Sequence, residues 1–242
     1  MRMRSLAAAE LLNAWEQGLP WPPFQRALLL LEAALPDVSP DALADLSIGQ
    51  RDAYLLALRE RLFGKELVGV ATCPNCGDSL ELNFTTADIR VPMQNDPALL
   101  LEAEGYRVHF RLPTSRDLAA LASDSGAAQD RLLARCILEA TQDGTFQRPD
   151  MLPEEVQRRV IDEMARADAQ ADIQLDVTCP ACGHTWHAAF DVLSFLWAEV
   201  HAWALRILRE VHLLASAYGW SEADILAMSA LRRQWYIQMA GL

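Results

Sequence analysis

Four cysteines in two matching strings offer the clearest chemistry in this chain. Cys73-Pro74-Asn75-Cys76-Gly77 and Cys179-Pro180-Ala181-Cys182-Gly183 each set two thiols on a tight turn, closed by a glycine that tolerates the left-handed backbone. A thiol pair of this spacing grips one metal ion from one side, and two pairs complete a tetrahedral four-cysteine site of the kind zinc occupies. Two surface disulfides or a redox-active Cys-x-x-Cys are the competing chemistries, and the redox one wants a single motif opening a helix after a strand. Here the motif occurs twice, and alternating apolar residues flank each copy. Val68 and Val70 precede the first and Leu80, Leu82 and Phe84 follow it; Ile173, Leu175 and Val177 precede the second and Trp186, Ala188 and Phe190 follow it. Period-two alternation on both sides of a turn means a β-hairpin. The expectation is a structural Zn2+ held by Cys73, Cys76, Cys179 and Cys182 at the tips of two knuckle hairpins. A long segment separates Cys76 from Cys179 where an ordinary ribbon has a short loop, so the sequence reads as a split zinc ribbon with a large insertion.

The other candidate ligands have plainer readings. His184 and His187 stand beside the second knuckle, but four cysteines already close a structural site, and both are expected to be exposed strand residues. Cys136, within an apolar helical string, is expected to be a small buried core residue. His201 and His212 lie three turns apart on one helix, too far to share an ion. No Gly-rich phosphate loop, no His-Glu-x-x-His and no nucleophile with a readable base partner occurs, which argues against an enzyme.

The elements that must position the cysteines are mostly helical. Residues 5–18 form an amphipathic helix ending at Gly18, and a second carries Phe24, Ala27, Leu28, Leu31 and Leu35 up to Pro36. Ser39-Pro40 starts a third helix, and Ser47-Ile48-Gly49-Gln50 is a capping box that opens a fourth, running to about Phe63. Inside the insertion, Ile89 with Val91, and then Tyr106, Val108, Phe110 and Leu112, alternate as strands. Helices are expected after Thr114 or Ser115, over Asp130–Gln142 and over Pro153–Ala167. After the second knuckle a long helix from about Val192 to Tyr218 carries a continuous apolar stripe, followed by capped short helices at Ser221 and Ser229. The eight-residue interval from Ser39 to Ser47 repeats from Ser221 to Ser229, and Arg51 and Tyr54 align with Arg233 and Tyr236. Duplication of one helical unit and a chance likeness of two capped helices both fit this echo. The expected fold is mainly α with a small β component. It comprises an N-terminal helical region (1–67), a split four-cysteine zinc ribbon (68–84 and 173–190), an α+β insertion (85–172) and a C-terminal helical region (191–242).

With 242 residues, 52% of them hydrophobic, the chain can build a substantial core, while no apolar run approaches the roughly 18 residues of a membrane span. A cytoplasmic location and no membrane partner are expected. The formal charge of -12 opposes the basic surface that nucleic-acid binding needs, and the basic pairs Arg158-Arg159 and Arg232-Arg233 sit in helices that also carry acidic residues. Aromatic residues crowd the C-terminal span. Trp197, Trp203, Trp220, Trp235 and Tyr236 read as partner-binding anchors, with packing between the long helix and the short ones as the alternative.

A resemblance attaches to particular strings. Phe190-Asp191, Phe195-Leu196-Trp197, Glu210-Val211-His212-Leu213-Leu214-Ala215, Tyr218-Gly219-Trp220-Ser221-Glu222, Ile225-Leu226 and Arg232-Arg233 before Tyr236 together resemble the small baseplate proteins of contractile phage tails and related injection systems. They are similar to T4-type baseplate hub assembly chaperones, and Arg111-Leu112-Pro113-Thr114 with Asp117-Leu118, together with the second Cys-Pro-x-Cys-Gly-His string at 179–184, resembles the members that carry a zinc ribbon. The resemblance implies a non-enzymatic assembly factor (chaperone) or minor baseplate component that binds tail or hub proteins. It would act in the cytoplasm of the producing bacterium or be incorporated in the tail particle. The residues alone also leave open a zinc-ribbon adaptor that binds nucleic acid or transcription machinery, which salt-dependent nucleic-acid binding would reveal.

Overall fold

Side-chain caps fix where several helices of this chain begin. The Ser47 hydroxyl accepts the Gln50 N–H at 3.1 Å while Gln50 Oε1 accepts the Ser47 N–H, and the Ser221 and Ser229 hydroxyls accept the N–H groups of Asp224 and Arg232. The computed structural model describes residues 2–92, 99–122 and 128–241. In its first part run α1 (Ala8–Gly18), α2 (Pro23–Ala34), α3 (Pro40–Ala44), α4 (Ile48–Phe63), β1 (Glu66–Thr72) and β2 (Ser79–Thr85). Then come β3 (Leu99–Ala103), β4 (Tyr106–Phe110), α5 (Ser115–Leu121), α6 (Ala128–Cys136), β5 (Ile137–Gln142), β6 (Thr145–Phe146) and α7 (Glu154–Ala167). The chain closes with β7 (Ile173–Thr178), β8 (Thr185–Phe190), α8 (Val192–Tyr218), α9 (Glu222–Ala227) and α10 (Ala230–Met239). Two compact units result, one of Met1–Ser39 with Val192–Leu242 and the other of Pro40–Asp191. No helix among the described residues is long and apolar enough to cross a membrane.

The first unit is helical, with α8 as its spine: α1, α2, α9 and α10 all pack on it. The stripe that faces them, from Leu193 and Leu196 through Val200, Ala204, Ile207 and Val211 to Leu214, is buried. Gly18 ends α1 where a side chain has no room, because a Cβ there would lie 2.5 Å from the Trp197 ring. Arg233 is buried in α10, where its guanidinium donates to Glu210 of α8 and to the Met228 carbonyl.

The second unit holds both cysteine strings. β1 and β2 form one antiparallel hairpin, β7 and β8 another, and β3-β4-β5-β6 an antiparallel four-stranded sheet. Val108, Phe110, Leu133, Ile137, Ala140, Leu152, Val156 and Val160 form the buried core between this sheet and its helices. Two-residue turns with left-handed backbone, Glu104-Gly105 and Asp143-Gly144, link its strands. The segment between the hairpins leaves and returns at neighbouring strands, since the Phe84 ring meets the Phe190 ring edge-on at 5.3 Å and Phe190 pairs with Ile173.

Two expectations inside the insertion are corrected. Ile89 and Val91 are not in a strand: residues 86–89 form a turn, and the buried Gln170 side chain takes the place of a partner strand, accepting the Val91 N–H and donating to the Ile89 carbonyl. The helix expected over Asp130–Gln142 stops at Cys136, and Ile137–Gln142 pairs with β4 as β5. Strands β3 and β6 are additions that the sequence pattern does not signal. Pairing along β4 outweighs the helical propensity of Leu138-Glu139-Ala140, and of Leu99-Leu100-Leu101-Glu102-Ala103 in β3.

A candidate metal centre

Each cysteine string folds into the same turn. The Cys73 N–H donates to the Asp78 carbonyl at 2.8 Å and the Gly77 N–H to the Cys73 carbonyl at 2.9 Å; Cys179, His184 and Gly183 repeat both bonds at the same distances. Gly77 and Gly183 take φ of 77° and 74°, a conformation that any side chain would strain. The hairpins bring Leu80, Val177 and the first cysteine of each string into one small core, edged by Leu82, Leu175, Trp186 and Ala188. Cys73 and Cys179 are buried there, and Cys76 and Cys182 are exposed.

This packing brings all four Sγ atoms within 4.8 Å of one another. Cys73 to Cys182 is 3.7 Å and Cys76 to Cys179 is 3.6 Å. A disulfide requires about 2.0 Å. A tetrahedral ion with metal–sulfur bonds of about 2.3 Å sets its ligands roughly 3.8 Å apart, so these spacings suit a shared ion. The sulfurs act on one another's ionisation in opposite directions, holding Cys76 up and drawing Cys182 down. The Asp78 N–H draws the Cys76 thiol down, but the other three sulfurs and burial outweigh it and push the thiol up to about 12. The Asn75 amide, followed by the His184 N–H, brings Cys182 down to about 6. A divalent cation relieves such crowding by letting all four become thiolates.

The remaining candidate ligands stay out of this group. His184 is exposed but belongs to the turn rather than to a strand, where its carbonyl accepts the Cys179 N–H and its ring stacks on Trp186; the exposed His187, in β8, pairs with Asp176 at 2.7 Å across the hairpin. Cys136 is fully buried at the end of α6, and burial pushes its thiol up to about 11. His201 accepts a hydrogen bond from the Trp15 indole at 3.1 Å. Asn75 is the one residue of this site that the motif conceals, because it occupies a spacer position between two ligands and donates to Cys182 Sγ at 3.5 Å.

The T4 bacteriophage base plate protein family matches residues 29–197, most of the chain and all four cysteines. The chain belongs to that family. No curated protein and no solved structure matches it. For this baseplate chain the match takes in α3–α7 and both hairpins and stops early in α8, so most of the C-terminal strings that carry the resemblance lie beyond it.

The aromatic residues singled out as anchors occupy different settings. Trp197 lies against Gly18 with the Arg26 guanidinium 4.7 Å from its ring centre, and Trp203 is half-buried. Trp220 stacks on Tyr218 at 4.5 Å and meets Tyr236 edge-on at 4.8 Å, while the Tyr218 hydroxyl donates to the Tyr236 carbonyl. Trp235 is 56% exposed on α10. One turn away from it on either side, Leu231 and Met239 are 65% and 70% exposed, so the three form an apolar stripe at i, i+4 and i+8.

Proposed function

We propose that this chain is a non-enzymatic assembly factor or minor component of a contractile-tail baseplate. It holds a neighbouring tail or hub protein on the outer face of α10, and a structural zinc ion fastens its two hairpins through Cys73, Cys76, Cys179 and Cys182. Family membership supports the setting. The observation that carries the binding mode is the exposed stripe of Leu231, Trp235 and Met239, since aligned apolar side chains on a helix face are how helices seat in partner grooves. Zinc suits four thiolates in a tetrahedron and leaves no open position for a substrate.

Charge argues against the nucleic-acid reading. Arg158 and Arg159 are paired with Glu155 and Arg233 with Glu210, in a chain of formal charge -12. A depression of about 580 Å³ at the turns of the four-stranded sheet is lined by Glu102, Glu104, Arg107 and Asp143, and the Arg107–Glu102 and Arg159–Glu104 pairs already neutralise part of its charge.

The test is co-purification with the neighbouring tail proteins. Leu231→Ala with Trp235→Ala is expected to abolish capture while shifting the melting temperature little, because exposed substitutions usually cost within about 0.5 kcal/mol. Trp220→Ala, which removes a ring from a packed cluster, is the stability control. Capture that survives the double substitution overturns the α10 surface.

A further inference from the structure

We propose that Asn75 is a positioning residue of the metal centre: its side-chain amide holds the Cys182 sulfur and thereby makes Cys76 the ligand that opens first. The inference rests on the metal occupancy proposed above.

The two knuckles are near copies, so their differences are informative. Cys73 and Cys179 are buried, which leaves Cys76 and Cys182 as the two sulfurs that solvent can reach. These two receive matching backbone hydrogen bonds, from the N–H of Asp78 and of His184 respectively. Symmetry breaks at the residue before the second cysteine of each string. Asn75 in the first knuckle reaches across to Cys182 Sγ at 3.5 Å, whereas its counterpart Ala181 has no donor to return to Cys76. A hydrogen bond to a ligating thiolate stabilises its charge and fixes its direction. Cys182 carries one such bond more than Cys76. Ligand exchange therefore begins at Cys76, and the ion leaves through a state that Cys73, Cys179 and Cys182 still hold.

The test uses zinc-loaded full-length protein whose metal content has first been measured by elemental analysis. It is treated briefly with N-ethylmaleimide and no chelator, so that only a sulfur released from the bound ion reacts, and the modified cysteines are mapped by mass spectrometry. Cys76 is expected to be labelled before Cys182 by roughly fivefold, the factor that one hydrogen bond of ordinary net strength gives. Asn75→Ala should remove the preference, and Ala181→Asn, which supplies a matching donor, should do the same without weakening the site. In the cobalt-loaded protein, Asn75→Ala should shift the thiolate charge-transfer band while leaving the far-ultraviolet circular dichroism unchanged, a signature that a purely structural role would not give. Equal labelling in the wild type, earlier labelling of Cys182, or a preference untouched by Asn75→Ala overturns the inference. A preparation with no metal would overturn the zinc reading itself, and the elemental analysis shows this before any labelling begins.

Discussion

Replacing Gly49 with alanine reverses the usual expectation for a helix. Alanine favours helix over glycine by about 1 kcal/mol, so the change should stabilise if propensity decided it. Gly49 stands in the first turn of α4, where its N–H donates to Asp168 Oδ2 at 2.8 Å and the Ser47 hydroxyl donates to Oδ1 at 3.0 Å. A Cβ at position 49 would lie 2.1 Å from Asp168 Oδ1, 2.7 Å from its Cγ and 3.0 Å from the Ala171 backbone nitrogen. The carboxylate must swing away, giving up both bonds and its favourable place at the helix N-terminus. Two hydrogen bonds to a charged acceptor are worth about 3–6 kcal/mol together. Burial pushes the Asp168 carboxyl up in spite of those bonds, so the lower half of that range applies. After the propensity gain, Gly49→Ala should cost about 2–3.5 kcal/mol. Denaturant unfolding, with hydrogen exchange read on α4 peptides, measures it. The cause is isolated by a double-mutant cycle with Asp168→Ala: once the carboxylate is gone, the alanine should cost much less, giving a coupling of at least about 1 kcal/mol. A neutral or stabilising Gly49→Ala, or strict additivity with Asp168→Ala, would refute the reasoning.

Asp117 gives a second test. Burial pushes its carboxyl up, but the Arg111 guanidinium, the Thr114 amide and hydroxyl, and Arg135 outweigh that and hold it far below the usual carboxylate range. A depressed folded value contributes stability above the unfolded pKa of about 3.9, and that contribution is lost as pH falls toward the folded value. Asp117→Asn should therefore cost about 3 kcal/mol at neutral pH and flatten the acid limb of the stability curve; an unchanged limb counts against the network. Elemental analysis should find one zinc per chain, and its removal should raise hydrogen exchange through β1, β2, β7 and β8 together rather than in one knuckle. Metal-free native protein, or two disulfides in its place, would sink the metal site.

Where a residue type acts on its own backbone, the sequence can be read. Ser47 and Ser229 cap the helices that their motifs announce, α4 ends at Phe63 before Gly64, and α8 spans Val192–Tyr218 as its stripe indicates. The cysteine cluster is legible too, since spacing and a glycine determine each half of it. What stays hidden depends on partners distant in sequence. Ile137 begins a strand with no breaker before it, because β4 supplies the pairing and the Cys136 carbonyl accepts the Arg111 N–H. Gln170 satisfies the backbone of Ile89 and Val91 from 81 and 79 positions away, and no local pattern announces that. Asn75 is concealed differently, as a spacer in a motif that names only its ligands.

The distance along the chain between the two knuckles, 103 residues from Cys76 to Cys179, has a consequence on the ribosome. At about 5–20 residues per second, the second pair of thiols follows the first by roughly 5–20 s. Throughout that interval the nascent chain carries half of the cysteine cluster, two thiols without the other two, while the segment between the hairpins is still being made. The first knuckle is thus an unfinished clasp that closes only after the insertion is complete. If zinc is the ion, as proposed, a cell short of it would complete chains whose two thiol pairs meet with no ion between them, leaving Cys76 and Cys182 open to oxidation.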